Sequence, residues 1–262
     1  MQSVRSAAIL VTALTGFVTL GGCSAAPEAE TDESVQAISA ECKGNGNGYG
    51  NHGKFGIWSP SFRSGAALPA AHSCEGKTFA EGTSPELDFS KGPKGTKSYA
   101  LVFHDLTIIE NRNQLTPAPN KNLGYHWAIW NLPSNTHTLP AALPSVQFPL
   151  GNSAEQLSGG PGAPPAYFGP CPSWQTYCTD GAVPRSTDEY SFTLYALPQD
   201  LVTPPYDPNA LDPDTGRVKS KIRQYDEFFS ASALATARLF TTSDAVPTAF
   251  PQVPNAVCTK NP

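Results

Sequence analysis

The apolar positions of this chain fall into short runs separated by proline and glycine. Tyr99 to Phe103 is almost unbroken apolar sequence and runs into His104 and Asp105, the pattern of a strand buried on both faces. Tyr125 to Asn131 reads as a second strand. Alternation there predicts one face carrying His126, Ala128 and Trp130 and another carrying Tyr125, Trp127 and Ile129. A third strand is predicted over Glu189 to Leu197, with Tyr190, Phe192, Leu194 and Ala196 along one side. Helical spacing occurs in one place: Tyr225, Phe228, Phe229, Ser232, Thr236, Leu239 and Phe240 predict a helix from Gln224 to Phe240. Proline-rich stretches at Pro117-Ala-Pro119, Pro161-Gly-Ala-Pro-Pro165 and Pro204-Pro205 divide the remainder into short elements.

Composition agrees with this β-rich picture. The chain has 26 prolines and 22 glycines, and 15% of its residues are charged, which suits a loop-heavy β domain better than a helical bundle. The net charge of −5 leaves no basic footprint, so nucleic acid is not an expected partner.

The N-terminus reads as a targeting segment: Arg5, an apolar run from Ala7 to Leu20, then Leu20-Gly-Gly-Cys23. That tetrapeptide resembles a bacterial lipobox. It implies a signal peptide over 1–22, lipid attachment at Cys23 and, with Ser24 next, sorting to the outer membrane of the cell envelope. Residues 23–54 read as an acidic, then Gly/Asn-rich tether, and 55–262 as the folded domain. With Cys23 lipidated, Cys42, Cys74, Cys171, Cys178 and Cys258 remain, an odd number. Cys171 with Cys178, and Cys42 with Cys258, are the candidate disulfide pairs. No cysteine or histidine lies at zinc-ligand spacing, so neither a metal nor a cofactor is expected.

Candidate chemistry comes from polar groups at the ends of buried strands, where they are costly unless paired or used. Asp105 ends one strand and His126 lies near the start of another. Gly169-Pro170-Cys171-Pro172 is a stiff turn able to present backbone amides. Singly, Asp105 suits a turn cap and His126 a satisfied core histidine. No nucleophile accompanies them, and the chain has no Gly-x-Ser-x-Gly elbow, phosphate loop or His-Glu-x-x-His helix. The run Asp207 to Asp214 lacks calcium-loop spacing.

Taken jointly, Ser98 to Asp105, Tyr125-His-Trp127 with Asn131-Leu-Pro133, Tyr167-Phe-Gly-Pro-Cys-Pro172 and Tyr190-Ser-Phe-Thr-Leu-Tyr-Ala-Leu197 resemble the phosphatidylethanolamine-binding protein family, over roughly residues 57–240. The resemblance implies a large antiparallel sheet packed with a smaller one and a few peripheral helices. It also implies a non-enzymatic pocket for a small anionic or phospholipid-headgroup-like ligand, formed by Asp105, His126, Gly169, Pro170, Cys171, Pro172 and Tyr190. The alternative it carries is a protein-interaction module that inhibits a protease or kinase-like partner; a weak hydrolase or a metal-binding variant stands behind both. One departure concerns charge. The family's later strand commonly begins His-x-Tyr, whereas this chain has Asp188-Glu-Tyr190. Alternation puts Asp188 on the face of Tyr190, adding an anion to the pocket, with Arg185 as its candidate partner.

Overall fold

The computed structural model describes residues 54–77, 82–110, 120–151, 153–159, 163–172, 176–178, 187–248 and 258–260. The strands are β1 (Ile57–Trp58), β2 (Leu87–Phe89), β3 (Ser98–Asp105), β4 (Tyr125–Pro133), β5 (Thr138–Leu139), β6 (Glu155–Ser158), β7 (Thr176–Cys178), β8 (Asp188–Leu197), β9 (Ala235–Ser243) and β10 (Cys258–Lys260). Two α-helices accompany them, the single turn α1 (Leu106–Ile109) and α2 (Lys221–Ser232).

An antiparallel sheet of order β6-β4-β3-β8-β9 organises the domain. Its central strand β3 is buried along its whole length, as the unbroken apolar run demands. One face carries Tyr99, Leu101, Phe103, Trp127, Ile129, Phe192 and Leu194. This face packs with Ile57, Leu87, Phe89 and Leu139 of a smaller sheet of order β1-β2-β5. The opposite face carries Ala100, Val102, Ala128, Trp130 and Tyr195 and is covered by Ile222, Tyr225 and Phe229 of α2. The fold is therefore mainly β, with two packed sheets and few short helices. A third pair, β7 with β10, places Cys178 opposite Cys258 in antiparallel register.

Two expectations are corrected. The predicted helix over 224–240 stops at Ser232; Ala233 is extended, and Leu234 N–H donates to Ala196 O at 2.8 Å. From Ala235 the chain is β9, with Ala237, Leu239, Thr241 and Ser243 buried at period two. The stripe Thr236, Leu239, Phe240 satisfies helical spacing by coincidence, and the strand's true alternation is half hidden because its buried positions include Thr241 and Ser243.

The second correction concerns the faces of β4. Phe103 pairs with Trp127 but His104 pairs with Tyr125, so His126 is the extra residue of a β-bulge. The bulge turns the His126 ring to the face of Phe103, whose ring centroid lies 5.4 Å away, while Tyr125, Ala128 and Trp130 share the α2 side. A further irregularity lies at Asn131, whose φ of 58° is in the left-handed region that asparagine tolerates. Asn131 Oδ1 accepts from Val202 N–H at 2.6 Å.

Candidate functional site

Asp105, His126 and Tyr190 converge at the end of the central strands. Asp105 and Tyr190 are direct cross-strand partners, and the His126 and Tyr190 rings meet edge to face at 5.5 Å. All three are buried, at 0%, 4% and 0% exposure. The bulge that aims His126 is secured from β6. Gly159 N–H donates to His126 O at 2.8 Å, and a Cβ on Gly159 would fall 1.5 Å from Tyr125 O. Only glycine allows that approach.

Asp105 has two roles at once. Its Oδ1 accepts from Ile108 N–H at 3.0 Å and caps α1. Its Oδ2 is buried without a hydrogen-bond partner, and so is the Tyr190 hydroxyl. The Tyr190 hydroxyl and the Asp105 carboxyl nonetheless act on each other as a weak hydrogen bond, outside the normal geometry. Burial pushes the Asp105 carboxyl well above the usual carboxylate range, and the Asp188 carboxyl adds to the push. Burial likewise raises the Tyr190 phenol, helped by Asp105 and Asp188. Asp188 is 5% exposed, Glu189 beside it is exposed and Tyr190 is buried, and the Asp188 charge acts on both Asp105 and Tyr190. Arg185 lies outside the described residues.

His126 is held by the loop. Its Nδ1 lies 3.2 Å from Phe168 O. A carbonyl can only accept, so Nδ1 carries the hydrogen and Nε2 is the ring's acceptor. Burial lowers the imidazole to about 4, and the carbonyls of Phe168 and Gly169 recover only part of that loss. The ring is neutral at physiological pH.

The loop Gly169-Pro170-Cys171-Pro172 is fastened to the segment around His72. A Cβ on Gly169 would meet His72 O at 2.9 Å, so the two backbones pack directly. Tyr167 Oη donates to His72 O at 2.8 Å, and Cys74 N–H donates to Pro170 O at 3.2 Å. A disulfide joins Cys74 to Cys171 across 97 residues. This overturns the expected pairing of Cys171 with Cys178: Cys171 is committed to a segment that packs against its loop, whereas Cys178 lies in β7 opposite Cys258. Cys23 and Cys42 lie outside the described residues. Sequence reasoning missed Cys74, Gly159 and the bulge. Cys74 carries no motif and finds its partner only through folding, while Gly159 sits in a glycine-rich stretch that reads as any loop.

Other features stand apart from this cluster. A cavity of about 280 Å³ shares Tyr167 and Phe168 with the loop and extends to Thr83 and Leu143. A cavity of about 610 Å³ lies at the other end of β3, beside Lys91, Tyr99 and His137. Its lining includes none of Asp105, His126 and Tyr190. Of the acidic run, Asp212 is paired with Arg223, and Asp214 with Lys121 at 2.9 Å. Among the described residues no group of three or more His, Cys, Asp or Glu is arranged to hold a metal ion.

Over 150 residues the chain is 33% identical to the "Putative lipoprotein LppC" of Mycobacterium tuberculosis, covering 57% of this chain and 58% of that one. It is 30% identical over 118 residues to a "UPF0098 protein" of Aquifex aeolicus, covering 44% and 57%. The chain thus spans a little over half the length of these curated relatives. The crystal structure of E. coli YbcL, described as a new member of the mammalian PEBP family, superposes with a TM-score of 0.49 at 22% identity, covering 72% of this chain and 98% of that one. The family model named Phosphatidylethanolamine-binding protein matches residues 58–242, which include every strand from β2 to β8 and the whole candidate site, and the chain belongs to that family.

Proposed function

We propose that this protein is a lipid-tethered, non-enzymatic binding module of the bacterial cell envelope, in which Asp105, His126 and Tyr190 take a small anionic or phospholipid-headgroup-like ligand. Gly169 to Pro172 form the rim, and Asp188 tunes the charge. The observation that carries this reading is the pair of buried polar atoms, Asp105 Oδ2 and Tyr190 Oη, on cross-strand partners, neither of which has a hydrogen-bond partner at normal geometry. A buried polar group without a partner costs about 1–3 kcal/mol, and a ligand that satisfies both recovers that cost on binding. Tethering at Cys23 is supported by Leu20-Gly-Gly-Cys23 and by the lipoprotein name of the mycobacterial relative; outer-membrane sorting rests on Ser24.

Calorimetry with phosphorylethanolamine tests the site. Wild type binds, and Tyr190→Phe, which removes the hydroxyl but keeps the ring, weakens binding about five- to thirtyfold, equivalent to 1–2 kcal/mol. Equal affinity in the two proteins would show that the ligand sits elsewhere.

A further inference from the structure

The end of β3 remote from Asp105 opens onto the cavity of about 610 Å³, whose lining includes Lys91, Lys94, Tyr99, Ser134, Asn135 and His137 and no carboxylate. The turn before β3 builds one wall. Thr96 N–H and Thr96 Oγ1 donate to Pro93 O at 3.1 and 2.8 Å, and Gly95 at the corner has a φ of 97°, which glycine takes without strain. Gly92 N–H donates to Tyr99 Oη at 2.8 Å and ties the turn to the strand. Tyr99 is 0% exposed, and its ring packs on Phe55 and Phe89 with centroids 6.0 and 5.2 Å away. The phenol is therefore fixed in place. Its oxygen accepts from Gly92, so what it presents is its hydrogen, which has no acceptor among the described residues.

Charge decides what such a cavity takes. The chain carries −5, yet Lys91 and Lys94 stand here without an ion pair or hydrogen bond among the described residues. Asp88, just before Lys91, accepts from Thr138 Oγ1 at 2.6 Å, and Asp200 lies 3.9 Å from Lys97. One exposed lysine holds an anion weakly. Two of them with a buried phenol donor in a concave space match a doubly charged oxyanion, and the volume exceeds what a bare phosphate fills. Ser134 and Asn135 add neutral hydrogen-bonding groups suited to hydroxyls. We propose that this cavity is a second binding site, separate from the Asp105 cluster, for the phosphate ester of a small hydroxyl-rich molecule such as a sugar phosphate. Lys91, Lys94 and Tyr99 take the phosphate, and Ser134, Asn135 and His137 take the hydroxyls.

Calorimetry on the detergent-solubilised full chain tests this with three probes: glucose 6-phosphate, glucose and inorganic phosphate. The ester should bind and glucose should not. Inorganic phosphate should bind this site more weakly than the ester, because it leaves the hydroxyl partners unused. Lys91→Gln combined with Lys94→Gln should weaken the ester about tenfold, since each change removes one exposed charge contact. Both side chains are exposed and unbonded, so the variant folds as wild type. Lys97→Gln removes an exposed lysine already drawn to Asp200 and should bind the ester as wild type does. Tyr190→Phe should also leave this event unchanged, which separates it from the Asp105 cluster. Ester binding lost in Tyr190→Phe and kept in the lysine variant would overturn the second site and move the ligand to the first. Equal weakening by Lys97→Gln and by the lysine pair would overturn it as well, reducing the cavity to a diffuse surface field. Glucose or inorganic phosphate binding as tightly as the ester would overturn the ligand class. Absence of ester binding at millimolar concentration would overturn the proposal outright and leave the reading of the Asp105 cluster untouched.

Discussion

Strand β3 ends in two adjacent polar residues that face opposite sides of the sheet and are treated differently. His104 turns toward α2. Its Nε2 lies 3.1 Å from Asp226 Oδ1 and its Nδ1 3.3 Å from Thr193 Oγ1, which in turn lies 3.0 Å from Ser191 Oγ. Tyr195 Oη donates to Asp226 at 2.6 Å. Burial would raise the Asp226 carboxyl, but His104, Tyr195 and Arg238 together outweigh it and hold the group below the usual range. Asp105 turns the other way and meets Tyr190, His126 and Asp188 with atoms left over. The first cluster has the order of a hydroxyl–imidazole–carboxylate relay, with its polar atoms committed to one another. It fastens α2 to the sheet. Composition does not separate the two polar clusters; the completeness of their hydrogen bonding does.

The sharpest way to break this contrast is covalent. The site face depends on the Cys74–Cys171 clip, and the α2 face does not. Replacing both cysteines by serine should lower stability by about 3–5 kcal/mol, given the 97-residue separation. Hydrogen exchange should then quicken at Cys74 and around residues 168–171, while amides of β8 and α2 keep their rank as the slowest. Uniform loss of protection across both faces would mean that the clip serves the whole domain rather than the site.

A smaller effect comes from the neutral His126. Its folded value is about 4 against an ordinary 6.5, so between those limits the unfolded chain binds a proton that the folded chain refuses. Stability from this group is fully present above about 6.5 and is lost as pH falls toward about 4. The interval is equivalent to about 3 kcal/mol. Asp105 acts in the opposite sense, since its raised carboxyl is relieved by acid, so the comparison must be made within one background. Denaturant titrations at pH 7 and pH 4.5 should show wild type losing about 2–3 kcal/mol more than His126→Asn, whose amide can still donate to Phe168 O. Parallel losses in the two proteins would place the His126 ring in contact with water.

Much of this arrangement is legible in the sequence, for a reason tied to particular residues. Tyr99 to Phe103, the run from Tyr125 and the alternation from Tyr190 to Ala196 announce themselves because buried central strands have no polar alternatives. Asp105 and His126 stand out against them as anomalies at strand ends. What stays hidden are the features that depend on a neighbour far along the chain. Strict period two sends His126 to the wrong face, because a bulge is defined by the register with β3 and by Gly159 pressing from β6. Cys171 has a nearby cysteine at 178, and only tertiary packing brings Cys74 beside it. Thr236 to Phe240 fits both periods, and Leu234 bonding to Ala196 decides the matter.

The same substitution made once in each cluster gives the finest test, because opposite signs are expected. Asp226→Asn leaves His104 and Tyr195 with a weaker, neutral partner in a partly buried setting and should cost about 2 kcal/mol. Asp105→Asn keeps the oxygen that caps Ile108 N–H and removes a buried carboxyl that burial and Asp188 both disfavour ionising. It should stabilise the empty protein by about 1 kcal/mol at pH 7, the signature of a residue kept for binding rather than folding. The gain should vanish near pH 4, where the wild-type carboxyl is already protonated: the raised folded value makes the wild-type penalty grow with pH above about 4 and disappear below it. Paired denaturation curves at the two pH values measure this directly. If Asp105→Asn were destabilising at pH 7 to the same degree as Asp226→Asn, then Oδ2 would have a structural partner in solution, and the two faces of β3 would no longer differ in kind.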